Sequence, residues 1–134
     1  MAIAALFLAS FLLVSGMATS DQPVIKVYPG SIELCSGHVT GAPDKNKKPG
    51  AHILWTAYTT PDPPDQVVRH YTKALGSANH RREAQEDVWR FPTDKPERVL
   101  SITAVPGPLP VRECRRPPDE ARTIVMMSTM TRPE

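Results

Sequence analysis

DPPDQVVRHYTKALG, residues 62–76, is the stretch of this sequence that decides the fold. Its apolar residues lie at positions 67, 68, 71, 74 and 75, which is the spacing of one face of an α-helix. Asp62 can cap the first turn, the two prolines fit a first turn that has no N–H partners to lose, and Gly76 can end the helix. The single apolar stripe predicts a helix over residues 63–75 that lies on a sheet.

The segments on both sides of this helix have the composition of β-strands. Five short runs are rich in β-branched and aromatic residues, at 24–28, 52–59, 88–91, 98–105 and 123–129. A six-residue connection, 92–97, separates the third run from the fourth and predicts a hairpin. The sequence therefore predicts an α+β fold, with a mainly antiparallel sheet of about five strands and one principal helix packed on one face.

Three polar or proline-rich segments connect these elements. Residues 41–50 contain three lysines and no large apolar side chain, which predicts an exposed loop. Residues 106–118 contain five prolines and cannot pair in the middle of a sheet, so they predict an extended connection. Glu83, Glu86 and Asp87 lie in a polar run with two arginines, which we interpret as a solvated, charge-balanced loop rather than paired catalytic carboxylates.

The amino terminus has the layout of a secretory signal peptide. Residues 1–20 carry no charged side chain, and a 13-residue apolar run is followed by small and polar residues. Such a run spans only about 20 Å as a helix, against about 30 Å of bilayer hydrocarbon. We expect residues 1–20 to be a cleaved signal peptide and residues 21–134 to be one exported domain, secreted or periplasmic. An uncleaved segment that anchors the protein is the alternative, and it would be the only contact with a membrane.

Composition excludes several classes of protein. With 134 residues, 16 Lys+Arg against 14 Asp+Glu and 15 prolines, the chain fits neither a coiled coil nor a long helical bundle nor a polytopic membrane protein. The small net charge and the absence of aromatic residues among the basic ones argue against a nucleic-acid partner. No glycine-rich phosphate loop or nucleophile motif is present, so we predict no cofactor.

The two cysteines, Cys35 and Cys114, predict a disulfide because an exported chain meets oxidising conditions. Two alternatives remain open for Cys35. Together with His38 it could form half of a metal site, although a closed zinc site needs about four ligands and we predict none. It could also act as a nucleophile assisted by a histidine, but the surrounding residues match no nucleophile motif.

Other chemistry-bearing side chains have simpler interpretations. Arg112, Arg115 and Arg116 surround the second cysteine, and we expect ordinary surface solvation for them. Anion binding is the alternative, since guanidinium groups suit phosphate and carboxylate. The four histidines, at positions 38, 52, 70 and 80, form no ligand pair at helical or strand spacing, so we expect packing or surface roles. The aromatic residues at 55, 71 and 89 are expected to anchor the core rather than line a pocket.

One resemblance can be stated. The proline-started helix with paired valines at 67–68, the Trp-Arg-Phe-Pro run at 89–92 and the late strand at 121–125 resemble small exported bacterial domains of unassigned function. The resemblance covers residues 52–130. It implies a style of fold and no activity, so no functional residue is carried over.

These features predict a non-enzymatic exported module that binds a ligand, an envelope component or a protein partner whose identity the sequence does not reveal. An extracytoplasmic enzyme or an enzyme inhibitor is the alternative. Polar side chains that converge in a cleft would favour catalysis. A flat apolar patch or an open strand edge would favour protein binding.

Overall fold

The computed structural model describes residues 24–106 and 114–133. They form β1 (Ile32–Thr40), β2 (His52–Thr60), α1 (Pro64–Leu75), β3 (His80–Glu83), β4 (Glu86–Phe91), β5 (Glu97–Ala104) and β6 (Thr123–Thr131). Within these residues no helix is long and apolar enough to cross a membrane. The predicted signal peptide, residues 1–20, lies outside the described residues and stays a prediction.

All six strands belong to one antiparallel sheet, in the spatial order β1-β2-β6-β5-β4-β3. The last strand of the sequence, β6, lies in the middle and pairs with β2 on one side and with β5 on the other. Its residues are buried on both faces, as Ile124 and Val125 show. The central position explains why this run carries apolar side chains at successive positions instead of alternating with polar ones.

The helix α1 is confirmed, with one correction at its start. Pro63 occupies the cap position and no side chain caps the first turn, so the prediction that Asp62 caps the helix is wrong. The Asp62 carboxylate instead accepts a hydrogen bond from the Tyr28 hydroxyl at 2.6 Å. Gly76 ends the helix as predicted, with φ +76° and its N–H bonded to the carbonyl of Thr72 at 2.8 Å.

The helix packs on one face of the sheet and builds the core there. Val67 and Tyr71 from the helix are fully buried. They meet side chains from β4, β5 and β6, namely Trp89, Phe91, Leu100, Ile102 and Val125. The Trp89 indole N–H donates to the carbonyl of Gly76 at 2.9 Å, which ties β4 to the end of the helix. Two of the three predicted aromatic anchors, Tyr71 and Trp89, are therefore confirmed.

The prediction for residues 24–28 is wrong. They are extended but pair with no strand. The Tyr71 hydroxyl donates to the carbonyl of Lys26 at 2.7 Å, and Tyr28 is buried in the core beside the helix. Lys26 and Tyr28 thus tie this segment to Tyr71 and His70 of the helix, and Val24 and Val27 stay exposed instead of extending the sheet.

The sheet has six strands where about five were expected. β1 was missed because its glycine, serine and polar residues dilute the apolar alternation that predicts a strand. β3 was missed because all four of its residues are polar, with the sequence His-Arg-Arg-Glu. Its pairing with β4 also corrects the interpretation of Glu83, Glu86 and Asp87 as a solvated loop. The hairpin of β4 and β5 and the exposed loop at 41–50 are confirmed.

The disulfide joins Cys35 to Cys114, as predicted. Cys35 lies on β1, paired with Ala57 of β2, and its partner belongs to the connection that precedes β6. Cys114 is buried, and so is Ala57 beneath it. The bridge therefore attaches the connection to the face of the sheet opposite the helix. It also removes Cys35 from the two alternatives, since a cystine sulfur is neither a thiolate ligand nor a nucleophile.

Candidate functional site: the free edge of β1

β1 is one of the two edge strands of the sheet. β1 pairs with β2 over its whole length and, among the described residues, with no other strand. The opposite edge strand, β3, is only four residues long and carries three charged side chains, and short, charged edges resist further pairing. β1 has nine residues, and from Leu34 to Thr40 it contains no proline, lysine or arginine. The only irregularity of its pairing with β2 lies at its beginning, between Glu33 and Cys35, so residues 36–40 lack the features that usually protect an edge.

The register determines which backbone groups of β1 point outward. Just beyond the hairpin, the N–H of Gly41 donates to the carbonyl of Ala51 at 2.8 Å. Hydrogen-bonded and non-hydrogen-bonded pairs alternate along an antiparallel ladder. Counting back from this pair, the odd positions 35, 37 and 39 bond to β2. Ser36, His38 and Thr40 therefore direct their N–H and C=O groups toward the open side.

The open edge has a polar face and an apolar face. Ser36, His38 and Thr40 project to the helix side of the sheet, opposite Thr56, Leu54 and His52 in the register of the hairpin. On the other face, Val39 is 54% exposed. On this face, Gly37 is the only residue between Val39 and Cys35. Because glycine has no side chain, a large side chain from the neighbouring strand can lie over it.

That side chain belongs to Trp55, which lies directly opposite Gly37 on β2. A Cβ atom added at Gly37 would lie 2.7 Å from Cζ2 of the indole. The indole therefore lies across the glycine and reaches toward the open side of β1. Trp55 is only partly buried, so the prediction that it anchors the core is wrong for this residue. A partly exposed tryptophan beside an open strand edge is a side chain that protein interfaces favour.

The predicted anion patch is engaged with the protein where the structure describes it. Arg115 donates to the backbone carbonyl of Glu33 at 3.0 Å, and Arg116 lies 3.6 Å from Asp119 across an exposed ion pair. Arg112 lies outside the described residues. The Arg115 contact, together with the disulfide, holds the beginning of β1 in place. Anion binding by the three arginines stays a prediction.

A charged cluster around the buried Asp87 lies at the opposite edge of the sheet. The carboxylate of Asp87 contacts Nε2 of His80 at 2.8 Å and accepts a hydrogen bond from Arg82. The His80 ring packs against Trp89, with ring centroids 4.4 Å apart. Nearby, the hydrogen bond from Arg90 lowers the pKa of Glu83. These contacts join β3 to β4 by polar side chains, and they explain why an all-polar segment forms a strand.

Two of the described grooves are lined by few charged side chains, whereas a third, of about 700 Å³, is lined by Asp94, Lys95, Glu97 and Arg132, of which the last two form an ion pair. A groove of about 280 Å³ on the helix side of the sheet is lined mainly by apolar residues such as Ile25, Leu54 and Met127. A second groove, of about 520 Å³, is lined by prolines, Ala121 and the engaged Arg116. Within residues 24–106 and 114–133, no group of three His, Cys, Asp or Glu side chains is placed to hold a metal ion.

The pairing of β1 with β2 brings together two histidines that sequence spacing left apart. His38 and His52 lie diagonally across the hairpin, with ring centroids 5.5 Å apart. His70 instead packs edge-on against Tyr28 and Tyr71, in agreement with its expected packing role. Only the register of the hairpin could have revealed the first pair, because fourteen positions separate the two residues in the sequence.

Searches of family models, of curated proteins and of solved structures find no match to this chain.

Proposed function

We propose that this protein is an exported, non-enzymatic binding module that takes up an extended segment of a partner protein as a seventh strand beside β1. The observation that carries the proposal is the unprotected edge at Ser36, His38 and Thr40, whose backbone groups have no strand partner among the described residues. An exposed, flat strand edge is a template for pairing with another chain. Peptide recognition by strand addition uses such an edge, with affinity from main-chain hydrogen bonds.

The two faces of the edge specify the chemistry of the segment. Directly opposite residues of an antiparallel pair lie on the same face of the sheet. A docked strand would therefore present polar residues beside Ser36, His38 and Thr40, and apolar residues beside Val39 and the Trp55 indole. Because β1 has no charge between positions 34 and 40, an uncharged, alternating segment of about five to seven residues fits best.

Export is supported by the Cys35–Cys114 disulfide and by the uncharged apolar start of the sequence. Disulfides persist in oxidising compartments and are rare in the cytosol. The partner is therefore expected to be another exported protein or an envelope protein. The alternative of an enzyme would need polar groups that converge in a cleft. The polar cluster around Asp87 instead joins two strands and packs on Trp89.

Site-specific crosslinking in the native exporting cell tests the proposal. A photo-crosslinking amino acid replaces His38 at the edge, and in a matched chain it replaces Thr72 on the exposed side of the helix. We expect a discrete crosslinked protein from position 38 and none from position 72. Introducing Ser36→Pro into the first chain should abolish the crosslink, because proline removes an outward N–H while leaving the ladder to β2 intact.

Three outcomes would contradict the proposal. Equal crosslinking from positions 38 and 72 would show that the edge is not selective. A crosslink that survives Ser36→Pro would show that the contact does not use the backbone. If the only crosslinked product is a dimer of this chain, the edge binds a second copy of the chain and not another protein.

A further inference from the structure

We infer that His38 and His52 form a binding site for a divalent transition-metal ion on the exposed helix side of the β1–β2 hairpin. Both side chains lie on this face, since His38 pairs with Leu54 and Thr40 pairs with His52 in the ladder. Both residues are exposed, so an ion can reach them without movement of the core. This site shares His38 and Thr40 with the edge used in the proposed strand addition, but the argument for metal binding does not depend on that proposal.

The separation of the two rings fits coordination of one ion. A Zn–N bond of about 2.0–2.1 Å places the metal about 3.2 Å from each ring centre, so tetrahedral ligands have ring centres about 5 Å apart. The observed distance is 5.5 Å, with the ring planes inclined at 36°. Coordination requires one nitrogen of each imidazole to point at the ion, and both side chains are exposed and have room to turn.

The Thr40 hydroxyl is placed to orient the His52 ring for metal binding. Its hydroxyl oxygen lies 3.1 Å from Nδ1 of His52. When the Nδ1–H donates to this oxygen, the lone pair of Nε2 is free for the metal. Metal-ligating histidines commonly donate their second ring N–H to an oxygen, which orients the ring and fixes its tautomer. The contact is therefore the supporting interaction that a histidine ligand requires.

The ligand set defines the class of metal. Imidazole nitrogen suits Zn²⁺, Ni²⁺ and Cu²⁺, whereas Mg²⁺ and Ca²⁺ prefer oxygen ligands. With two protein ligands from the described residues, water completes the coordination of the ion. The other two histidines are engaged elsewhere, His70 against two tyrosines and His80 with Asp87, so the hairpin pair is the candidate for selective binding.

Calorimetric titration of the oxidised protein with Ni²⁺ and Zn²⁺ at neutral pH tests the inference. We expect the parent to bind one ion per chain. Each of the single variants His38→Ala and His52→Ala should bind it at least tenfold more weakly. Thr40→Val keeps both imidazoles and should weaken binding by about tenfold, as expected for loss of a supporting hydrogen bond. His70→Gln serves as the matched control and should bind as the parent does, while Mg²⁺ should give no heat.

Circular dichroism shows whether each variant keeps the fold, which we expect because His38, Thr40 and His52 are exposed. Absence of stoichiometric binding by the parent would overturn the inference. So would a double variant, His38→Ala with His52→Ala, that binds as tightly as the parent. Unchanged affinity in Thr40→Val would overturn the supporting role assigned to the threonine.

Discussion

Removal of the Cys35–Cys114 bridge should destabilise the protein by an amount that can be calculated from the chain separation. The two cysteines are 79 residues apart in the sequence. In the chain-entropy model, closing a loop of that length costs the unfolded chain about 15 cal/mol/K, or about 4.5 kcal/mol at 25 °C. A domain of this size has a total free energy of unfolding of about 5–15 kcal/mol, so the bridge accounts for a large part of it.

The assay is urea unfolding of the oxidised parent and of the double variant Cys35→Ala with Cys114→Ala. Alanine is chosen because Cys114 is buried, and a serine hydroxyl there would add an unpaired polar group. We expect the free energy of unfolding to fall by about 4 kcal/mol and the denaturant slope to rise, since an unbridged unfolded chain exposes more surface. Added reductant should lower the free energy of unfolding of the parent and leave that of the double variant unchanged. This difference would show that the reductant acts through the bridge.

A difference in the free energy of unfolding below about 1 kcal/mol would refute the reasoning, because the unfolded chain would then gain little conformational entropy when the disulfide is removed. Two titratable thiols in protein recovered from its native exporting cell would refute the bridge itself. The second result would also weaken the case for export, because it would remove the disulfide that indicates an oxidising compartment.

Three further predictions concern the core, the edge and a buried tyrosine. Leu100→Ala, at a fully buried position of β5, should lower the free energy of unfolding by about 2–5 kcal/mol in the same urea assay, and a loss below 1 kcal/mol would mean that the helix does not pack there. Gly37→Ala should displace the Trp55 indole and shift its fluorescence emission to longer wavelength with little loss of stability, and an unchanged spectrum would contradict the placement of the indole across the glycine. Burial raises the pKa of Tyr71 from 10.0 to about 12, so the folded state holds this proton more tightly than the unfolded chain, and stability should fall as the pH rises from 10 toward 12. Tyr71→Phe should reduce this alkaline decline, leaving the part that the raised pKa of Tyr28 contributes, and should cost about 1 kcal/mol at neutral pH for the missing hydrogen bond to Lys26. An unchanged decline would assign it to another group.

The candidate site was only partly open to sequence reasoning. The cystine was predictable because two cysteines in an exported chain leave a single intramolecular pairing. The free edge was not, because β1 itself was missed: its glycine and small polar residues hide the alternation of a strand. The proximity of His38 and His52 also depends on a register that a loop of eleven residues sets, and spacing in sequence carries no such information.

The interpretation of Asp87 failed for a different reason. Charged residues in a run are usually solvated, and here the carboxylate is buried because His80 and Arg82 from the neighbouring strand satisfy it. The sequence pattern alone cannot show that two polar side chains will form hydrogen bonds to a third across a hairpin. The same limit hid the role of residues 24–28, whose partners are side chains of the helix.

The sequence by itself determined the local elements whose cause is local. The helix at Pro64–Leu75 follows from its apolar spacing, its leading prolines and its closing glycine, and β2, β4, β5 and β6 follow from short runs of strand-forming residues. Tertiary structure alone decided the strand order, with β6 inserted between β2 and β5. The physical reason is that pairing among distant strands is chosen by burial of whole faces, and no short window of sequence contains that competition. Which strand remained at the edge, where we propose that a partner binds, was decided by the same competition.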